Sequence, residues 1–266
     1  MKISVIIPTY KPQSYIRECL DSIVAQTLDH SSFEVIISLN GCREPWLNEL
    51  QEYINAHPDV CWRLIHTDTP GVSNARNIAL DIATGEYITF IDDDDYISPS
   101  YLEELMKNSS PTCVALTDSL YVDDATGSII EVNPHHQRFI SLNNITDPSL
   151  FKARVFFNGP VMKLLHCDII GVQRFDTRFS NGEDNLMMFL ISNRIKHLKF
   201  TTSNAIYYRR IRQESATTRS RSRCSIARNS IKIMLQYTKY LLKNPRGYNY
   251  SFVLSRYIAE VKSILF

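Results

Sequence analysis

Long apolar runs, metal-spaced cysteines and a surplus of either charge are all missing from this sequence. The first apolar stretch, Ile3 to Ile7, is cut by Pro8 and is too short for a secretory signal, and no later stretch is long enough to span a bilayer. The six cysteines, Cys19, Cys42, Cys61, Cys113, Cys167 and Cys224, offer no CxxC pair and no zinc-type spacing. They are expected to be reduced and mostly buried, in a cytoplasmic protein. A formal net charge of +1 gives no electrostatic case for nucleic acid. GxGxxG and Walker A patterns are absent, so neither a nicotinamide dinucleotide nor a P-loop nucleotide is indicated.

What is present is an ordinary globular composition, 44% hydrophobic and 21% charged over 266 residues, enough for one full core. Runs rich in Val, Ile and aromatics predict strands over Ile3 to Ile7, Phe33 to Leu39, Arg63 to Thr67 and Glu86 to Ile91. Between them, Ile16, Leu20, Ile23 and Val24, then Leu47, Leu50 and Ile54, then Ala75, Ile78, Ala79 and Ile82 recur at helical spacing. Alternating elements with short links imply right-handed crossovers and a Rossmann-like α/β fold, a mainly parallel sheet flanked by helices. Such sheets bind ligands outside the carboxyl ends of their strands. Polar clusters follow each predicted strand there: Pro8, Thr9 and Tyr10; Asn40 and Gly41; Gly71 to Arg76; and Asp92 to Asp95.

The last cluster is electrostatically costly. Neighbouring carboxylates repel by about 1–3 kcal/mol per pair at about 5 Å. A helix cap does not account for the run, because Ser98 and Pro99 are expected to fill the cap and first-turn positions of the helix over Tyr101 to Met106. An EF-hand loop fails as well, since Ile97 stands sixth from Asp92 where glycine is needed. Mg²⁺ or Mn²⁺, held by one or two carboxylates and completed by phosphates, fits better. Arg76, at the start of a predicted helix on the same rim, can give a diphosphate a charge-assisted contact.

Ile3-Ser-Val-Ile-Ile-Pro-Thr-Tyr10, Tyr15 to Ile23 with Gln26 and Thr27, Gly71-Val-Ser-Asn-Ala-Arg-Asn77 and Gly85 to Asp95 together resemble glycosyltransferase family 2, and the resemblance resumes from about Asn158 to Phe189. It implies a GT-A fold, a nucleotide-sugar donor, Mn²⁺ or Mg²⁺, and direct displacement at the anomeric carbon with inversion. On that likeness Pro8, Thr9 and Tyr10 lie on the nucleoside side, Arg76 meets the diphosphate, and Asp92 to Asp94 form the DXD motif. Asp94 is the preferred metal ligand, with Asp92 beside the nucleoside and also near the metal. Asp93 is the variable middle position and Asp95 shapes the turn. Asn181-Gly-Glu-Asp-Asn185 resembles the family's ED motif, making Asp184 the catalytic base and Glu183 the residue that positions the acceptor or the base. Residues 1–224 then form the catalytic domain, 1–110 its nucleotide-sugar half and 111–224 its acceptor half, with C-terminal helices over 225–266.

One departure bears on the donor. Where the family commonly has two acids before Gly-Ser, this chain reads Ser38-Leu-Asn-Gly-Cys42, so Asn40 replaces the acid that would face the base. An amide oxygen can still accept from a uracil N–H, so a UDP-sugar is expected, with dTDP- and GDP-sugars open. The acceptor is expected to be a glycan or a lipid-linked saccharide in surface polysaccharide assembly. A sugar-phosphate nucleotidyltransferase would want a glycine-rich, arginine-bearing first loop, which Pro8-Thr-Tyr-Lys-Pro12 is not, and a silent nucleotide-sugar-binding module has no evident need of both acidic motifs.

Basic clusters at Tyr207 to Arg212 and Thr218 to Arg223 are either arginines that close on the diphosphate or a solvated linker. Two terminal helices are expected, broken at Asn244-Pro-Arg-Gly247. Arg228, Lys232 and Lys239 share one face of the first, which leaves open core packing with a solvated basic face or peripheral contact with the inner membrane face. His135 and His136 are expected on a loop surface.

Overall fold

The computed structural model describes residues 2–130, 132–212 and 222–265. Its first half alternates as the periodicity predicts: β1 (Ile3–Thr9), α1 (Tyr15–Val24), β2 (Phe33–Asn40), α2 (Trp46–Ala56), β3 (Cys61–Thr67), α3 (Val72–Ile82) and β4 (Tyr87–Phe90). β1 and β2 are buried along their whole lengths, which is why they read as continuous apolar runs and not as alternating ones. β3 is only half-buried, because it forms the sheet's edge.

The second half is less regular. β5 (Tyr96–Ile97), α4 (Tyr101–Asn108), β6 (Cys113–Leu116), β7 (Asp118–Asp123), β8 (Ile129–Ile130) and α5 (Pro134–Leu142) lead to β9 (Lys163–His166) and α6 (Cys167–Ile170). Then come α7 (Glu183–Ile191), β10 (His197–Phe200), β11 (Ile206–Ile211), α8 (Arg223–Lys243) and α9 (Tyr250–Leu265).

The strands form a seven-stranded sheet in the order β10-β6-β9-β4-β1-β2-β3 and a four-stranded sheet in the order β5-β11-β7-β8. β1 pairs in parallel with both β2 and β4, so Ile3 lies opposite Phe33 on one side and Tyr87 on the other. Only β9 runs against its neighbours in the large sheet. The aspartate run sits where the chain leaves β4 in the large sheet and enters β5 in the small one. α7 is buried nearly all round, packed between the main core and the α8–α9 hairpin, with Phe189 stacked on Tyr248 at 4.8 Å. A helix apolar on every side is what such a position demands.

Three expectations need correction. Ser98 does not cap α4: its hydroxyl donates to Asn204 O and accepts from Ile206 N, pinning the start of β11, and Ser100 takes the cap position. His135 and His136 are on a helix, not a loop, because the Asn133 side chain accepts from both of their backbone N–H groups and Pro134 starts α5. His135 is buried against Tyr121 and His136 pairs with Asp118 at 2.8 Å; burial, with Arg209 and Lys163 nearby, pulls His135 down to about 4. The cysteines are free, but Cys42, Cys167 and Cys224 are exposed. Among the described residues no helix is long and apolar enough to cross a membrane.

At the amino ends of the strands, Glu34 on β2 is buried and accepts from Ser4 Oγ (2.6 Å), Thr84 N (2.6 Å) and Thr84 Oγ1 (2.7 Å), with Arg63 3.3 Å away. Burial alone would raise its pKa, but these donors outweigh it and hold the carboxyl below its usual value. Glu34→Ala should cost about 2–4 kcal/mol in urea unfolding, since it strands those donors. Because the folded value is depressed, the carboxylate's contribution is complete above the unfolded value of about 4.3 and is lost as pH falls through the folded one. The gap between wild type and Glu34→Gln should therefore narrow below about pH 4.3 and stay constant from there to neutrality.

Candidate active site

The rim loops are laced together before any ligand is considered. Asn40 donates from Nδ2 to Thr9 O (2.6 Å) and accepts at Oδ1 from Gly71 N (2.8 Å), joining the ends of β1 and β2 to the start of α3. It is 3% exposed, so in this conformation its amide braces the rim and does not present a free edge. Tyr10 is half exposed, its ring lying where a Cβ on Gly41 would stand 2.6 Å from it; with φ at +83°, that position takes glycine on two grounds. Pro8 and Thr9 are buried at the end of β1, and Thr9 Oγ1 donates to Asp93.

The four aspartates have four different partners. Asp92 receives Arg76 Nη2 at 2.9 Å, Asp93 receives Thr9, Asp94 pairs with Arg212, and Asp95 accepts from Tyr207 OH (2.7 Å) and Arg210 N (2.9 Å). Burial first, and then the neighbouring carboxylates, push Asp93 up to about 7 and Asp95 well above the carboxylate range. Asp94 is raised by burial and by Asp92, against the pull of Arg212. Guanidinium groups thus sit on two of the four acids, while hydroxyl and backbone donors serve the other two.

Arg76 also reaches Asp184 on α7, through Nη1 at 2.6 Å. Its side chain is buried, with the guanidinium 5.2 Å from the Phe175 ring centre. Burial works against its charge, but Asp184 and Asp92 outweigh burial and hold it fully protonated. Arg76 is expected at a diphosphate and Asp184 remote from the aspartate run; here one guanidinium joins Asp184 to Asp92. Burial raises the Asp184 carboxyl, and the Arg76 charge tempers that rise. Glu183 is buried beside it in the first turn of α7, where the helix dipole favours acids.

Lys163 is not evident from the sequence, and Arg210 and Arg212 are foreseen there only as part of a basic cluster. Arg210 and Arg212 come from the first basic cluster, but only the pairing of β11 with β5 brings them onto the aspartate turn: Arg210 Nε donates to Asp94 O at 3.0 Å, and Arg212 lies over Tyr15 at 4.5 Å. Of the second cluster only Ser222 and Arg223 are among the described residues. Lys163 is fully buried on β9, donating to Gly159 O and Val161 O, and burial pulls it down to about 7 although nearby Asp184 favours its charge. A lone lysine inside the apolar stretch Val161-Met-Lys-Leu-Leu165 was the available signal.

Among the described residues no group of three or more His, Cys, Asp or Glu is arranged to hold a metal ion. A cation completed by phosphate oxygens needs only one or two carboxylates. Asp92 and Asp94 fit that mode, since each already faces a positive charge, Arg76 or Arg212.

Solved structures share the architecture, that of the GT-A fold. Staphylococcus aureus TarS residues 1–349 in complex with UDP-GlcNAc superimposes with a TM-score of 0.70 at 23% identity, over 89% of this chain and 66% of that one. A mannosyltransferase from Pyrobaculum calidifontis in complex with GDP-Man and Mn²⁺ gives 0.67 at 16% identity, over 99% and 72%. The sequence profile of Glycosyl transferase family 2 matches residues 4–171, and the chain belongs to that family. A relative in Bacillus spizizenii, a poly(ribitol-phosphate) beta-glucosyltransferase, is 39% identical over 104 residues, 38% of this chain and 16% of its own. The chain spans about a third or less of the length of the curated relatives it matches.

Gly182 sets where α7 begins. Its φ is +81°, and a Cβ there would lie 2.3 Å from Ile233 Cδ1 on α8. Gly182→Ala should cost about 1–3 kcal/mol in urea unfolding, from left-handed strain plus overlap. The same change at Gly127, where φ is +69° and nothing crowds the added Cβ, should cost the strain alone.

Proposed function

We propose that the chain is the catalytic part of a metal-dependent inverting glycosyltransferase, moving a sugar from a nucleotide-sugar, a UDP-sugar first among candidates, to a glycan or lipid-linked saccharide in bacterial surface polysaccharide assembly. Its place is the cytoplasm, at the inner face of the membrane. The observation that carries this reading is that one buried arginine gathers Asp92 from the aspartate turn and Asp184 from α7 into a single site. TarS bound to UDP-GlcNAc and the mannosyltransferase bound to GDP-Man and Mn²⁺ support the donor class and the metal by likeness.

The donor lies along the rim, its nucleoside against Pro8, Thr9 and Tyr10 and the pocket floor braced by Asn40. Asp94 and Asp92 would hold Mn²⁺ or Mg²⁺, with Asp93 between them on the donor side. When bound, that cation supplies Lewis-acid neutralisation of the charge building on the diphosphate. At α7 the acceptor hydroxyl gives its proton to a carboxylate oxygen of Asp184 as its oxygen bonds to the anomeric carbon and the bond to the diphosphate breaks. Burial makes Asp184 a stronger base than an exposed aspartate, and Arg76 keeps it ionised enough to act. Glu183, in the same helical turn, positions the acceptor.

Calorimetry with a panel of nucleotide sugars, followed by donor hydrolysis and transfer assays, tests this. Asp94→Asn should weaken Mn²⁺-dependent donor binding by about tenfold or more, one carboxylate of the metal set being lost. Asp184→Asn should bind donor as wild type does and lose transfer by about a hundredfold or more. Undiminished transfer in that variant removes Asp184 from its role. Donor binding by the wild type with neither hydrolysis nor transfer would point instead to a silent binding subunit.

A further inference from the structure

α8 and α9 form an antiparallel hairpin, joined by Thr238 Oγ1 to Tyr257 OH at 2.7 Å and Ser230 Oγ to Ser263 Oγ at 2.8 Å. Its inner flank is spent on packing: Ile233, Tyr237 and Val253 lie in the cluster around Phe189 of α7. The outer flank is apolar but has nothing against it among the described residues. On α8, Ile231, Leu235 and Leu242 recur on one side and are 50%, 60% and 75% exposed. On α9, Leu254, Ile258, Val261 and Leu265 form a second stripe, 44–61% exposed. Single exposed leucines need no explanation, whereas two stripes on adjoining helices mark a contact surface.

Charge says what kind. Arg228, Lys232, Lys239 and Lys243 are exposed along the flank of the α8 stripe. From Ser222 to Leu265 there are eight Lys and Arg and one acid, Glu260, which is buried. The rest of the chain holds 21 Lys and Arg against 27 Asp and Glu, so a net charge of +1 conceals a strongly basic hairpin on an acidic body. Two copies meeting through this face would set like charges together. An apolar centre with a basic rim matches instead a surface that is apolar beneath and anionic above.

We propose that the outer face of the α8–α9 hairpin docks on an anionic lipid bilayer, its apolar stripes entering the headgroup boundary and its lysines and Arg228 meeting lipid phosphates. The hairpin holds the acidic end of α7 directly: Asn229 Nδ2 donates to Asn181 O at 2.8 Å, Ile233 abuts Gly182, and Arg256 reaches Asn158 Oδ1 at 2.9 Å. Docking therefore fixes the start of α7, with Glu183 and Asp184, at a set distance behind the lipid surface, which rests on the proposed function only in what it implies for a lipid-linked acceptor.

Sedimentation of the whole protein with vesicles, without donor or acceptor, tests the docking itself. Vesicles of phosphatidylglycerol mixed with phosphatidylcholine should bind it about tenfold or more tighter than phosphatidylcholine alone, and about 0.5 M salt should weaken the binding. Leu235→Gln/Leu254→Gln/Ile258→Gln and, separately, Lys232→Gln/Lys239→Gln/Lys243→Gln should each lower binding by about tenfold, with unfolding midpoints and donor binding unchanged. The proposal is overturned by no binding to either vesicle, by equal binding to both, by variants that sediment like wild type, or by a dimer in solution that the apolar triple variant dissolves. Failure to transfer sugar would overturn the proposed function and leave the vesicle result standing.

Discussion

Arg76 carries its charge in the interior, 3% exposed, with Asp92 on one side of its guanidinium and Asp184 on the other. A buried cation is costly unless it is paired, and the repulsion that Asp92 meets from its neighbours is offset by the guanidinium it faces. Each group therefore fixes the other two. The rim of the parallel sheet and the start of α7, 108 residues apart in sequence, are held together by that exchange. The hairpin behind α7 and the Asn40 lacing behind the rim keep both ends of it from moving apart.

The four aspartates divide by the partner each meets. Two of them are drawn away from an ordinary exposed carboxylate: Asp95 is buried, accepting from Tyr207 OH and the Arg210 backbone, and burial with the neighbouring carboxylates raises Asp93. Asp92 and Asp94 are the two that meet guanidinium groups.

Much of this was legible from the residues. The strands β1 to β4 stand within two residues of their predicted bounds, because short β-branched runs such as Ile3-Ser-Val-Ile-Ile7, alternating with helical patterns, suit a covered parallel sheet. The convergence of Thr9, Asn40, Arg76 and Asp92 on one rim followed from that topology. Partnerships were not legible. Nothing in the spacing told that Arg76 would turn toward Asp184, that Asn40 would spend its amide on Thr9 and Gly71, or that Arg212 would fall on Asp94, since each depends on the sheet order and on β11 pairing with β5. His135 and His136 misled because a helix begun by Asn133 and Pro134 looks, residue by residue, like a loop.

Most of the site depends on the coupling of the two acids through Arg76. A double-mutant cycle in urea unfolding measures it, combining Arg76→Met with Asp184→Asn and, in parallel, with Asp92→Asn. Coupling of at least about 1 kcal/mol is predicted in both cycles. Additive effects, within about 0.5 kcal/mol for the Arg76 and Asp184 pair, would show that the two halves are joined by something other than this guanidinium.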